Sequence, residues 1–347
     1  MERAMTPLDF TEWLPIRAFE QAGSWQLDWA WFGTAPLARP FFSDDVDDAL
    51  RLPFNLALRR QTGLDALFDW QARSPGLEPS LLVFHTSRCG STLLAQLLRA
   101  LPGHVVLSEP PPLDALLRVH YRDPTASAWQ ADAVRALFSA YGQRRCGDET
   151  RLVVKLDAWN LFEAQLLRRL YPEVPCLFLY RDPLEVVVSQ RRQPGLHAVP
   201  GLLGPSGLDG LPGREAVAPG DYLAWMVGHL LQAGFGLCAA GEAVALNYRE
   251  LPDALWGHLG PLLGIDPAAV PHLQAVAGRD AKRPGQAFSA DGEAKRNEAD
   301  EATRAAVERW ARAPYQALEA LPPPPLVNDA SHSLPKPPNG DFSMVAN

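Results

Sequence analysis

The chain has 347 residues, 47% of them hydrophobic, which is enough for one large domain or two small ones with a sizeable core. It carries 32 Lys and Arg against 40 Asp and Glu, a formal charge of −8. That balance excludes a general nucleic-acid grip, which needs a basic surface, so any anion site must be a local concentration of Arg and Lys.

The cysteines Cys89, Cys146, Cys176 and Cys238 are far apart and form no C-x-x-C pair, which argues against a zinc site or a small disulfide scaffold. The opening residues MERAMTPLDFTEW show no charged-then-apolar signal pattern, and a reducing, cytoplasmic setting is expected.

Residues 1–78 read as an aromatic-rich extension packed on the core, helical in part. Trp25, Trp29, Trp31 and Phe32 lie close together, and Phe41-Phe42 follow Pro40. These rings are expected to serve the core first and a pocket mouth second. Asp44, Asp45, Asp47 and Asp48 lack EF-hand spacing and read as the acidic start of a helix.

From residue 79 the pattern changes to strands alternating with helices. Leu81–Phe84 is an apolar run of the buried parallel-strand kind, followed by a small polar loop and a helix to Leu101. Val105–Leu107 is a second strand, ending at Ser108-Glu109-Pro110-Pro111-Pro112, where the prolines hold the chain extended. Helices are expected over 113–120 and 128–145. Leu152–Leu156 is a third strand with Lys155 as an odd guest, either an edge lysine that blunts the strand or a cation for the site. A helix over 159–170 leads to the fourth strand, Cys176–Tyr180, and Pro183 opens the next helix.

Residues 193–220 are rich in Gly and Pro and include His197, which marks a lid or binding loop. Leu223–Ala240 is the most apolar stretch and borders on membrane-span length. His229 and Gln232 interrupt it, so a buried helix is expected and no membrane span. Ala243–Tyr248 is the fifth strand. Helices are then expected over about 250–263 and 298–320, and a disordered tail from 322 to 347. Together these elements predict an α/β domain over 79–321, a parallel five-stranded sheet flanked by helices.

The segments that could carry chemistry follow strands, on the side where such sheets place ligands. The loop Ser87-Arg88-Cys89-Gly90-Ser91-Thr92 joins a strand to a helix. Such a loop turns backbone N–H groups inward in front of a positive helix end, and Arg88 adds a full charge. A triphosphate loop needs G-x-x-x-x-G-K-[ST], but His85 stands at its first glycine and Ser91 at its lysine. Glu109 ends the second strand. Arg181-Asp182-Pro183 ends the fourth, with Ser189 eight residues after Arg181, about two turns along the new helix.

The first loop resembles the 5′-phosphosulfate loop of sulfotransferases, P-[RK]-S-G-[ST]-T, with Ser87 for the proline and Cys89 for the serine. Arg181 and Ser189 resemble the family's R-x-P-x-x-x-x-x-S motif for a 3′-phosphate at full spacing. Leu246-Asn247-Tyr248-Arg249-Glu250-Leu251 is similar to its Y-E-D-L segment, with Tyr248 alone carried over, as an adenine contact or as a core tyrosine. Lys282-Arg283-Pro284-Gly285 is a loose echo of its late R-K-G loop. The first loop has Leu93 where cytosolic members have tryptophan, which points to the broad bacterial type. The similarity covers about residues 80–265.

The resemblance implies a P-loop-like nucleotide-binding fold and sulfuryl transfer from 3′-phosphoadenosine 5′-phosphosulfate (PAPS), with no metal required. It implies donor binding by Ser87, Arg88, Cys89, Gly90, Ser91, Thr92, Arg181, Ser189 and Tyr248. Arg88 and Lys155 would stabilise charge on the leaving phosphate. Members use His or Glu as base, which makes Glu109 the first candidate and His197 the reserve. Glu109 could equally cap a turn or pair with Lys155. The acceptor is a small molecule of unread identity. A kinase or hydrolase with a degenerate loop, or a catalytically silent nucleotide-binding protein, are the alternatives.

Overall fold

The structure, a computed structural model, describes residues 8–279 and 291–322. The Lys282-Arg283-Pro284-Gly285 echo and the tail beyond Pro322 lie outside the described residues.

The first 75 residues depart from expectation, because their framework is an antiparallel sheet. Strands β1 (Trp13–Gln21), β2 (Ser24–Trp31) and β3 (Arg60–Gly63) lie in the order β1-β2-β3. The reason is legible in β2. Trp25, Leu27, Trp29 and Trp31 recur every second residue, and aromatic residues suit a pleated, half-buried surface. Ala22 and Gly23 close the β1–β2 hairpin with φ of 51° and 77°, the left-handed pair that a two-residue turn requires. The acidic run does open a helix, Phe42–Leu50, with Asp44 and Asp45 in its first turn. The small sheet packs on the α/β unit: the Tyr141 hydroxyl donates to the Pro15 carbonyl at 2.9 Å. One apolar cluster runs without a break from Phe10 and Trp29 to Leu318.

The second sheet is five-stranded and parallel throughout. Its strands are β4 (Pro79–His85), β5 (His104–Ser108), β6 (Arg151–Lys155), β7 (Cys176–Tyr180) and β8 (Val244–Asn247), in the order β5-β6-β4-β7-β8. All five lie where the sequence places them. Alternate residues of β4 feed two cores. Leu82 and Phe84 join the cluster of the long helix Tyr222–Ala239, and Leu81 and Val83 join that of the helix Ser91–Arg99. The result is a three-layer α/β unit with β4 at its centre.

The most apolar stretch is a helix packed against this sheet, with Trp225, Met226, Val227, Leu230 and Leu231 fully buried. It approaches so closely that a Cβ on Gly234 would fall 2.1 Å from the Phe178 ring. Residues 193–220 hold short 3₁₀ turns, Leu196–Ala198, Arg214–Ala216 and Pro219–Asp221, and otherwise run as loop.

The late helices are more broken than expected. The 250–263 segment divides into Asp253–Trp256 and Gly260–Leu263 around Gly257. The 298–320 segment divides into Glu301–Trp310 and Arg312–Glu319. Pro314 explains the second break: it has no N–H and its ring would clash with the Trp310 carbonyl of a continuous helix. Helices Val270–Ala277 and Gly292–Glu298 were not expected.

Candidate functional site

The site lies beyond the carboxyl end of β4, between β6 and β7. Thr86 prolongs the strand by donating to the Leu179 carbonyl at 3.1 Å. The chain then turns sharply: Ser87, Arg88 and Gly90 all take left-handed backbone angles, with φ of 62°, 51° and 88°. Non-glycine residues seldom adopt these angles, and two in succession mark a loop held by its surroundings. Three contacts hold it. The Ser87 N–H donates to His85 Nδ1 at 3.0 Å, the Cys89 thiol donates to the Leu179 carbonyl at 3.2 Å, and the Tyr248 ring lies on Gly90. A Cβ at position 90 would stand 2.6 Å from that ring, so the loop needs glycine there. Gly90 caps the helix Ser91–Arg99, whose N-terminal end faces the loop.

These contacts sort the predicted loop residues. Cys89 is fully buried with its sulfur turned into the fold, so only its backbone N–H can face a ligand. Ser87, Arg88, Ser91 and Thr92 line a cavity of about 380 Å³. The far wall is Glu109, Asp157, Trp159 and His197, and Phe41 reaches in from the segment after β2. The extension therefore gives a ring to the site, while Trp29 and Phe32 pack inside. The Arg88 guanidinium donates to the Gln193 carbonyl at the start of the lid segment.

Lys155 is not an edge residue. Strand β6 is internal, Lys155 aligns with Val83 on one side and Ser108 on the other, and 1% of it is exposed. Its ammonium lies 2.5 Å from Glu109 Oε1 and 4.8 Å from the centre of the Phe41 ring. Glu109 takes φ of 53° and donates its N–H to the Lys155 carbonyl at 2.8 Å, so pairing and strain together fix it. His85 Nε2 lies 3.3 Å from the same Oε1. Nδ1 accepts the Ser87 N–H, which leaves Nε2 as the nitrogen that faces Glu109, at a separation that makes no formed hydrogen bond among the described residues. Burial alone would raise the Glu109 carboxyl, but the Lys155 ammonium and His85 outweigh it and hold it far below the usual carboxylate range.

Asp157 has the opposite environment. It follows β6 by two residues and stands at the N-cap of the 3₁₀ turn Ala158–Glu163, where its carbonyl accepts the Asn160 N–H at 3.0 Å and Asn160 Oδ1 accepts its own N–H at 3.1 Å. Burial pushes its carboxyl well up, Glu109 and Asp114 push the same way, and Lys155 and His85 only partly oppose. His197, buried in the lid segment, is driven down to about 4 by burial, with His85 and Arg88 adding to the effect against Glu109. It is a neutral imidazole at physiological pH. Gln190 ties it in: its amide nitrogen donates to Ser87 Oγ at 3.1 Å and lies 3.4 Å from His197 Nε2, and its oxygen accepts the Gly195 N–H at 2.9 Å.

The second predicted anion site is closed. Arg181 does end β7, and its guanidinium lies 4.1 Å from the centre of the Tyr248 ring, which joins it to the first loop through Gly90. Its charge, however, is met by carboxylates: Nε reaches Glu185 at 2.6 Å and Nη2 reaches Asp291 at 3.1 Å. Glu185 also pairs with Arg296, and Asp291 with Lys295 at 2.7 Å. Ser189 lies two turns along the helix Pro183–Arg192, and among the described residues no hydrogen bond joins it to Arg181. The spacing of Arg181 and Ser189 is the motif's, but Glu185, one turn from each, supplies an anion from within the chain.

His85, Asp157, Gln190, Glu185 and Asp291 carry geometry that the sequence reading missed. Asp157 had a usable signal, since it stands just past the strand that ends in Lys155.

No protein-family model and no curated protein sequence matches the chain. In three dimensions it is similar to the sulfotransferase domain from the curacin biosynthetic pathway, at 15% identity and a TM-score of 0.38, covering 72% of this chain and 100% of that one. It is similar also to the sulfotransferase domain of the Synechococcus PCC 7002 olefin synthase, at 15% identity and 0.36, covering 72% and 97%. A third is sulfotransferase STF9 from Mycobacterium avium, at 12% identity and 0.36, covering 67% and 71%. A likeness of this size extends no further than the α/β arrangement and says nothing of substrate or activity.

Proposed function

We propose that this chain is a sulfotransferase that moves a sulfuryl group from PAPS to a hydroxyl or amine acceptor. The observation that carries the reading is the loop at 86–92. It presents left-handed backbone, a helix N-terminus, Arg88 and three hydroxyl residues, Ser87, Ser91 and Thr92, along a cavity, with Ser91 where a triphosphate loop needs lysine. That set suits a 5′-phosphosulfate better than a γ-phosphate.

Transfer is an in-line displacement in which charge builds on the oxygen between sulfur and the leaving phosphate. Arg88 and the loop N–H groups would hold the phosphate. Lys155, buried behind the cavity-lining Glu109, is the second cation that would act on that oxygen. Glu109 keeps this ammonium in place before the donor binds.

One observation favours a nucleotide site that reads no 3′-phosphate: Arg181 is already paired with Glu185 and Asp291. Incubation with ³⁵S-labelled PAPS and a metabolite extract tests the reading. Label transferred to an acceptor supports it, and label that stays with the donor across all fractions overturns it.

A further inference from the structure

We infer that Asp157, and not Glu109, is the carboxylate that takes the proton from the acceptor. The inference rests on the sulfuryl-transfer reading and adds a catalytic residue to it.

Two carboxylates line the same cavity, and their surroundings divide their work. Glu109 is committed to Lys155 at 2.5 Å and has His85 Nε2 3.3 Å from the same oxygen. A carboxylate so engaged has little affinity left for another proton. Asp157 forms no ion pair among the described residues, and it is the backbone of Asp157, not its carboxylate, that is tied to Asn160.

That turn is held rigid from behind. Asp114 Oδ1 accepts from Trp159 Nε1 at 2.6 Å, from Asn160 Nδ2 at 2.8 Å and from Arg118 Nε at 2.7 Å. The turn that carries Asp157 is thus fixed at the cavity wall by contacts that leave its carboxylate unneutralised, which is what a base needs.

The charged and titratable groups around it come from every element packed there. They are His85 at the end of β4, Glu109 after β5, Lys155 in β6, Asp114 and Arg118 at the helix behind, and His197 on the lid, which lines the same cavity. The nearest like charges, Glu109 and Asp114, raise its proton affinity, and buried surroundings do the same.

In the step, the acceptor oxygen forms its bond to sulfur as its proton passes to the Asp157 carboxylate. The bond between sulfur and the bridging oxygen breaks, and its electron pair leaves with the phosphate of adenosine 3′,5′-bisphosphate. No oxidant or metal enters the balance.

Asp157→Asn tests this, because asparagine caps the turn as well as aspartate does. Expected are a folded protein, bisphosphate affinity within a few-fold of wild type, and kcat lower by roughly 10²–10⁴. The loss should shrink for acidic phenol acceptors, which need less help to lose a proton. The wild-type kcat/KM should rise with pH along a limb above the ordinary aspartate value of about 3.9, and the variant should lack that limb.

Carboxyl NMR of the wild-type chain gives a second readout that needs no turnover, with Asp157 titrating above about 3.9. A folded Asp157→Asn protein with turnover within a few-fold of wild type overturns the inference, as does an Asp157 that titrates at or below the ordinary value. Failure of the wider reading looks different: wild type then neither binds the bisphosphate nor transfers label.

Discussion

At the residue scale, Lys155 and Glu109 make the most constrained contact in the site, and its consequence is a stability that depends on pH. The folded-state pKa of Glu109 is depressed by Lys155 and His85. Its contribution is therefore fully present above the unfolded value of about 4.3 and is lost as pH falls through the folded one. Glu109→Gln leaves a buried ammonium without its partner, a change that costs on the order of 3 kcal/mol. Urea melts at neutral pH should show that loss, and the gap to wild type should close in acid. Equal stability of the two proteins at neutral pH would mean that the pair is not formed. Asp157 has the opposite sign. Its folded pKa is raised, so its stability is fully present below about 3.9 and is lost as pH rises through the folded value. Lys155 and Glu109 were legible because a charge inside an apolar run and a carboxylate before three prolines stand out in sequence. His85 was not, because nothing local distinguishes a histidine that becomes buried beside a charge from one that does not; Asp157 had only its position just past the strand that ends in Lys155.

At the scale of elements, the five parallel strands were readable because each is an apolar run bounded by turn residues and buried on both faces. The antiparallel sheet was hidden because the tryptophans of β2 also read as an aromatic core cluster, while the alternation of Trp25, Leu27, Trp29 and Trp31 is the strand signal. The junction of the helices Pro183–Arg192 and Gly292–Glu298 was beyond sequence reading for another reason. It depends on Asp291 meeting Arg181 across more than a hundred residues. If a 3′-phosphate takes the place of these carboxylates, removing one should help it bind. Asp291→Asn should tighten adenosine 3′,5′-bisphosphate by several-fold and leave 5′-AMP unchanged, while Arg181→Ala should weaken the bisphosphate alone, by on the order of 2 kcal/mol. Calorimetric titration of both nucleotides decides this. Identical changes for the two ligands would show that Arg181 reads no 3′-phosphate.

At the scale of the whole molecule, the cavity lies at the end of the parallel sheet, and the segment after β2 adds one ring to it. The central strand β4 delivers the loop, the chain after β5 and β6 delivers Glu109 and Asp157 with Lys155 paired behind Glu109, and the segment after β2 delivers Phe41. The net charge of −8 concentrates the demand for cations on Arg88, Lys155 and Arg181, and only Arg88 among them lacks a carboxylate partner among the described residues. The choice between a phosphosulfate and a triphosphate at this loop is therefore the central claim. The shift in melting temperature with adenosine 3′,5′-bisphosphate, set against ATP with magnesium at equal concentration, measures it directly. A ligand that binds only the folded chain adds RT ln(1 + [L]/Kd), about 2.7 kcal/mol at a hundredfold excess over Kd. The bisphosphate should give the larger shift, and a larger shift with ATP and magnesium would contradict the sulfotransferase reading.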